Sequence, residues 1–159
     1  MIETASISTI SKELQELSPK SLKVLCLRLA KYKKDNKELL SYLLFEAHRE
    51  EQFILNVKEE IENGFDTINK ANLYWAKKSI RKVLRLAQKY IKYSGNKQTE
   101  VELLVHFCGQ LQASGIPFRE STTLNNLYEA QLKKVNKALS ALHEDLQYDY
   151  AATIADLSK

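Results

Sequence analysis

Apolar positions spaced three and four residues apart run through most of the chain and predict a series of helices. Ile7, Ile10, Leu14 and Leu17 mark a first short one. Ser18-Pro19 offers an N-cap followed by a residue tolerated in the first turn, so a second helix starts there, with Leu22, Leu25, Cys26, Leu29 and Ala30 on its apolar side. It fades in Tyr32-Lys33-Lys34-Asp35. Asp35 with Glu38 has the spacing of a capping box and opens a third helix through Leu40, Leu43, Leu44 and Ala47. The pattern crosses His48-Arg49-Glu50-Glu51 and resumes at Ile54, Val57, Ile61 and Phe65, so residues 36–63 read as one long helix or as two with a bend. Asn63-Gly64 predicts the stop.

The next helix is expected over Asn69 to Tyr93, with Ser94-Gly95 ending it. Thr99 and Glu102 form a second capping-box pattern ahead of Val101, Leu104, Val105, Cys108 and Leu111. Gly115 and Pro117 end that helix, and Ser121-Thr122-Thr123 can cap the last one. Its apolar residues, from Leu124 and Tyr128 to Leu142 and Leu146, alternate steps of four and three, so it packs along a neighbour over about three heptads, within the chain or as a dimer seam. Ile154 and Leu157 extend the pattern weakly, and the tail from Asp149 is expected to fray. Ile116 and Phe118 either cover a bundle end or anchor a partner. No strand alternation appears. The expected fold is all-α, with six to seven helices as stacked antiparallel helical hairpins, a bundle or short solenoid-like stack closed by a long C-terminal helix, in a single domain over residues 1–159. Leu27-Arg28-Leu29-Ala30 and Leu84-Arg85-Leu86-Ala87, with Glu38-Leu39-Leu40 and Glu102-Leu103-Leu104, suggest a duplicated hairpin, although the copies are not in strict register.

Composition adds little to the fold and something to function. With 44% hydrophobic and 28% charged residues in 159, the chain can bury a core, and the net charge of +4 is too small to mark a nucleic-acid binder by itself. The charge is local. Nine bases lie from Lys70 to Lys97 with no acid between Asp66 and Glu100. Lys77, Arg81, Arg85 and Lys89 recur every four residues and form one helical ridge, flanked by Lys78 and Lys82. A cationic ridge suits a phosphate backbone, because each neutralised phosphate releases counterions. Tyr74, Trp75, Tyr90 and Tyr93 could stack on bases if exposed. A second basic cluster, Lys31, Lys33, Lys34 and Lys37, surrounds the turn before the third helix. The competing reading is a solvated face, or one paired with Glu59, Glu60 and Glu62 on the preceding helix.

Catalytic chemistry has no constellation to rest on. His48, His106 and His143 are far apart, His106 and Cys108 point in different directions on a helix, and no phosphate loop, Cys-x-x-Cys or di-metal Glu/His set occurs. His106 reads as a hydrogen-bonded, half-buried residue. No cofactor is expected. No leader or apolar span is evident, so a cytoplasmic protein with no membrane segment is expected, its Cys26 and Cys108 reduced and buried. The leading expectation is a non-enzymatic protein-interaction or scaffold domain, monomer or homodimer, with an unidentified protein partner. The alternative is a nucleic-acid-binding module using Lys77, Lys78, Arg81, Lys82, Arg85 and Lys89.

Overall fold

A computed structural model describes all residues from Met1 to Lys159 and contains helices and turns but no strand. The chain divides into two compact units, Met1–Phe45 and Glu46–Lys159.

In the first unit, α1 spans Ile7–Gln15, α2 Pro19–Tyr32 and α3 Lys34–Ser41. Hydroxyl caps start the first two. Ser6 accepts from the Thr9 amide and Ser18 from the Ser21 amide, each at 3.2 Å, with Pro19 opening α2. No capping box opens α3. Its N-cap is Lys33, which makes no side-chain cap bond, and Asp35 lies inside the first turn, where its charge favours the helix dipole. The α2 and α3 helices pack on each other, and Asn36 ties them by donating from Nδ2 to the Leu29 carbonyl at 2.8 Å. α3 continues as a π-helical turn, Tyr42–Glu46, then a 3-10 turn, Ala47–Arg49. The stretch read as one helix or two is therefore interrupted at these turns.

In the second unit, α4 spans Glu50–Asp66, α5 Leu73–Ser94, α6 Lys97–Ala113, α7 Thr122–Leu139 and α8 Glu144–Leu157. The core gathers on α6, which packs against α4, α5, α7 and α8. Its buried Val101, Leu103, Leu104, Phe107, Cys108 and Leu111 cover one broad side of the helix, wider than the apolar stripe of a surface helix. Asn96, not Thr99, is its N-cap, accepting from the Gln98 and Thr99 amides at 2.8 and 3.2 Å. Thr99 is buried one turn inside, and its hydroxyl donates to Glu50 Oε1 at 2.6 Å. Asn63-Gly64 does not stop α4. The helix continues to Asp66, and Gly64 lies against α5, where a Cβ would collide with the Val83 side chain. Gly95 ends α5 in the left-handed conformation, φ 65°, where a glycine carries no Cβ penalty.

The final helical pattern is divided. α7 ends at Leu139, and after the turn at residues 140–143 His143 caps α8 by accepting the Asp145 amide at Nδ1. The tail is ordered helix up to Leu157. Tyr128, fully buried on α7, donates its hydroxyl to the Leu157 carbonyl at 2.7 Å, and Gln112 of α6 donates to the Asp156 carbonyl at 3.3 Å. Leu124, Tyr128, Leu132, Val135 and Leu139 are buried within the chain, so these heptad positions pack internally. Ile116 and Phe118 also fold back, with the Phe118 ring 4.8 Å from that of Tyr128.

Candidate functional site

Two surfaces stand out, one in each unit. On the second unit, Asn72 starts α5 by accepting the Trp75 amide at 2.9 Å, and the helix turns Ala76, Ile80, Val83, Leu84 and Ala87 into the core. Periodicity then carries the basic side chains outward. Lys78, Arg81, Lys82 and Arg85 are exposed, and Lys77 and Lys89 are half-buried. Of the acids expected to neutralise them, Glu60 and Glu62 are engaged elsewhere. Glu60 accepts the Tyr90 hydroxyl at 3.2 Å, Glu62 Oε1 lies 2.9 Å from His106 Nε2, and Glu50 accepts the hydroxyls of Ser94 and Thr99. Lys77, Lys78, Arg81, Lys82 and Arg85 have no carboxylate within ion-pairing distance.

The N-terminal end of the ridge adds exposed rings. Tyr74 and Trp75 are 60% and 48% exposed and meet edge to face at 5.4 Å, and the Lys78 ammonium lies 5.1 Å from each ring centre. This places open π-faces beside open cations. Tyr90 and Tyr93 are half-buried, Tyr90 edge-on to Phe53 at 5.8 Å, and are poorer stacking platforms. Lys70 is structural, donating to the Ser114 carbonyl at 2.7 Å.

The first unit presents the opposite chemistry. Every residue from Met1 to Ser21 is exposed, and Tyr42 alone among residues 1–45 is buried. The apolar stripe of α1 is partly covered, Ile7 standing 81% exposed and Ile10 and Leu14 40% and 37%, and Leu25, Leu27, Leu29, Leu43, Leu44 and Phe45 are also exposed. An apolar groove of about 220 Å³ runs between α2 and α3, lined by Cys26, Leu29, Ala30, Leu39, Leu40 and Leu43. Cys26 is thus exposed, against the expectation of a buried thiol, because it lines this open groove. Cys108 is buried in α6, and burial pushes its thiol up to about 12. Both cysteines are free. Hydrophobic periodicity signalled the apolar faces, but nothing in it told whether they would be covered.

Sequence reasoning also missed a groove of about 410 Å³ where α5, α6 and α7 meet. Lys92, Lys97, Lys134 and Lys137 ring an apolar floor of Ile91, Leu104 and Ala138, and Glu100 pairs with Lys97 at 3.1 Å. The histidines stay apart in role. His48 is exposed in the 3-10 turn, His106 meets Glu62, and His143 caps α8 with Nδ1 3.4 Å from Asp145. No three His, Cys, Asp or Glu side chains are grouped to hold a metal ion, and no helix is long and apolar enough to cross a membrane. No protein-family model matches the chain, and no curated protein or solved structure is similar to it.

Proposed function

We propose that the protein is a non-enzymatic interaction module whose docking unit is residues 1–45. The observation that carries this reading is the exposed apolar surface of α1, α2 and α3, none of whose residues is buried. Soluble monomers rarely expose contiguous apolar patches of more than a few hundred Å², and larger ones mark interfaces. A cytoplasmic location belongs to the proposal, supported by two free thiols. A photoreactive amino acid at Leu29 in the full chain tests it in cells. A discrete protein adduct that disappears with Leu25→Glu supports the reading, and absence of any protein adduct overturns it.

A second reading, a nucleic-acid strand on α5, is favoured by Lys77, Lys78, Arg81, Lys82 and Arg85, which pair with no carboxylate, beside the exposed Tyr74 and Trp75 rings. Fluorescence anisotropy with single- and double-stranded DNA and RNA at two salt concentrations tests it. Binding that weakens steeply with salt and vanishes in Arg81→Glu/Arg85→Glu supports it. No binding at low salt leaves the ridge a solvated face.

A further inference from the structure

We infer that a single strand of nucleic acid runs along one face of α5 and into the groove where α5, α6 and α7 meet, with a base on the apolar floor there and its phosphates among the lysines. This rests on the nucleic-acid reading, and adds the groove to the site and the single strand as its ligand. Tyr74, Lys78, Arg81, Arg85, Gln88 and Lys92 recur along α5 at alternating steps of four and three, so they fall within about 40° of one line on the helix. All are exposed except Gln88, which is half-buried. The line is about 27 Å long at 1.5 Å per residue. Its last two members, Gln88 and Lys92, line the groove. The exposed ring, the cationic ridge and the groove therefore form one continuous surface.

Charge selects an anion for the groove. Its volume of about 410 Å³ lies within the range usual for small-ligand sites. Lys92, Lys97, Lys134 and Lys137 face it against a single carboxylate, Glu100, which Lys97 engages at 3.1 Å. Lys92, Lys134 and Lys137 have no carboxylate within ion-pairing distance. Lys92 comes from the last turn of α5 and the other two from the last turns of α7, so the fold gathers these cations from distant parts of the sequence. Ile91, Leu104 and Ala138 give the flat face of a base an apolar surface to lie on.

The other end of the line selects a strand over a duplex. Tyr74 and Trp75 offer open rings, which reward bases whose faces are free. In a duplex those faces are stacked inside. A polyanion without bases would use the cations but neither the rings nor the apolar floor. A stacked strand rises about 3.4 Å per nucleotide, so the track holds about eight nucleotides at most.

Fluorescence anisotropy on the purified full chain tests this, with labelled oligonucleotides of about four to about sixteen nucleotides. Affinity should rise steeply up to about eight nucleotides and only slowly beyond. The strand should bind about tenfold or more tighter than its duplex and than inorganic polyphosphate. Trp75 is the chain's one tryptophan, so a base stacked on it should quench its emission. Lys134→Glu/Lys137→Glu should weaken strand binding by about tenfold or more. Lys20→Glu/Lys23→Glu makes the same charge change at exposed positions of α2 and should weaken it by less than about threefold. Both variants replace exposed side chains and should melt as the wild type does. Equal affinity for duplex or for polyphosphate overturns the inference. So does a groove variant that binds no more weakly than the α2 control. In either case the nucleic-acid reading survives if Arg81→Glu/Arg85→Glu still abolishes binding. A wild type that binds no strand at low salt overturns both.

Discussion

Gly64 of α4 and Val83 of α5 are in van der Waals contact that only a glycine permits. A Cβ on Gly64 would lie 2.6 Å from Val83 Cγ2. Gly64→Ala gains helix propensity, up to about 1 kcal/mol, but forces a stiff β-branched side chain out of its well, which typically costs about 1–3 kcal/mol. The expected result is a net loss of about 1 kcal/mol and a lower urea midpoint. In Gly64→Ala/Val83→Ala the new methyl fills space vacated by valine. The two changes should therefore be less damaging together than their sum, a coupling that a double-mutant cycle measures.

Thr99 has 1% of its surface exposed, and its hydroxyl binds a carboxylate, Glu50, at the start of α4. Thr99→Val keeps the shape and removes the donor. Hydrogen bonds to charged groups contribute about 1.5–3 kcal/mol, and that loss is expected in denaturant unfolding. Thr99→Ser retains the hydroxyl and should lie between the two.

The two thiols separate by environment. With Cys26 exposed and Cys108 buried, one thiol per chain should react with iodoacetamide in the native protein and the second only on unfolding. Peptide mapping identifies which is which. Early alkylation of Cys108 would show that α6 opens without global unfolding.

His106 makes stability fall in acid. Burial lowers its pKa below 6.5, the Glu62 carboxylate opposes that shift and the Lys58 ammonium, itself paired with Glu102 at 3.1 Å, adds to it. A histidine depressed in the folded state binds fewer protons than in the unfolded chain. Its contribution is complete above pH 6.5 and is lost as the pH falls from there through the folded pKa. Denaturant titrations between about pH 8 and pH 5 should show this slope, at most about 1.4 kcal/mol per pH unit for one proton. His106→Gln should flatten it.

Much of the helical architecture is legible along the chain because its causes are local. Ser18, Ser121 and Gly95 punctuate helices through bonds and torsions within a few residues of themselves, and period-3.6 spacing marks which face of α5 is apolar. Asn63-Gly64 and Thr99 have the same local appearance yet serve other ends, because a close helix contact and a distant carboxylate outcompete the turn and the cap. The tetrapeptide Leu-Arg-Leu-Ala occurs twice. In α5 its Leu84 and Ala87 are buried, whereas in α2 the matching Leu27 is exposed and Ala30 half-buried. The sequence by itself determined that the chain is helical, where several helices end and that α5 carries a cationic face. Only the tertiary structure decided which apolar faces are covered and which acids are taken by other partners. Both depend on contacts between residues far apart in sequence, which no local pattern encodes.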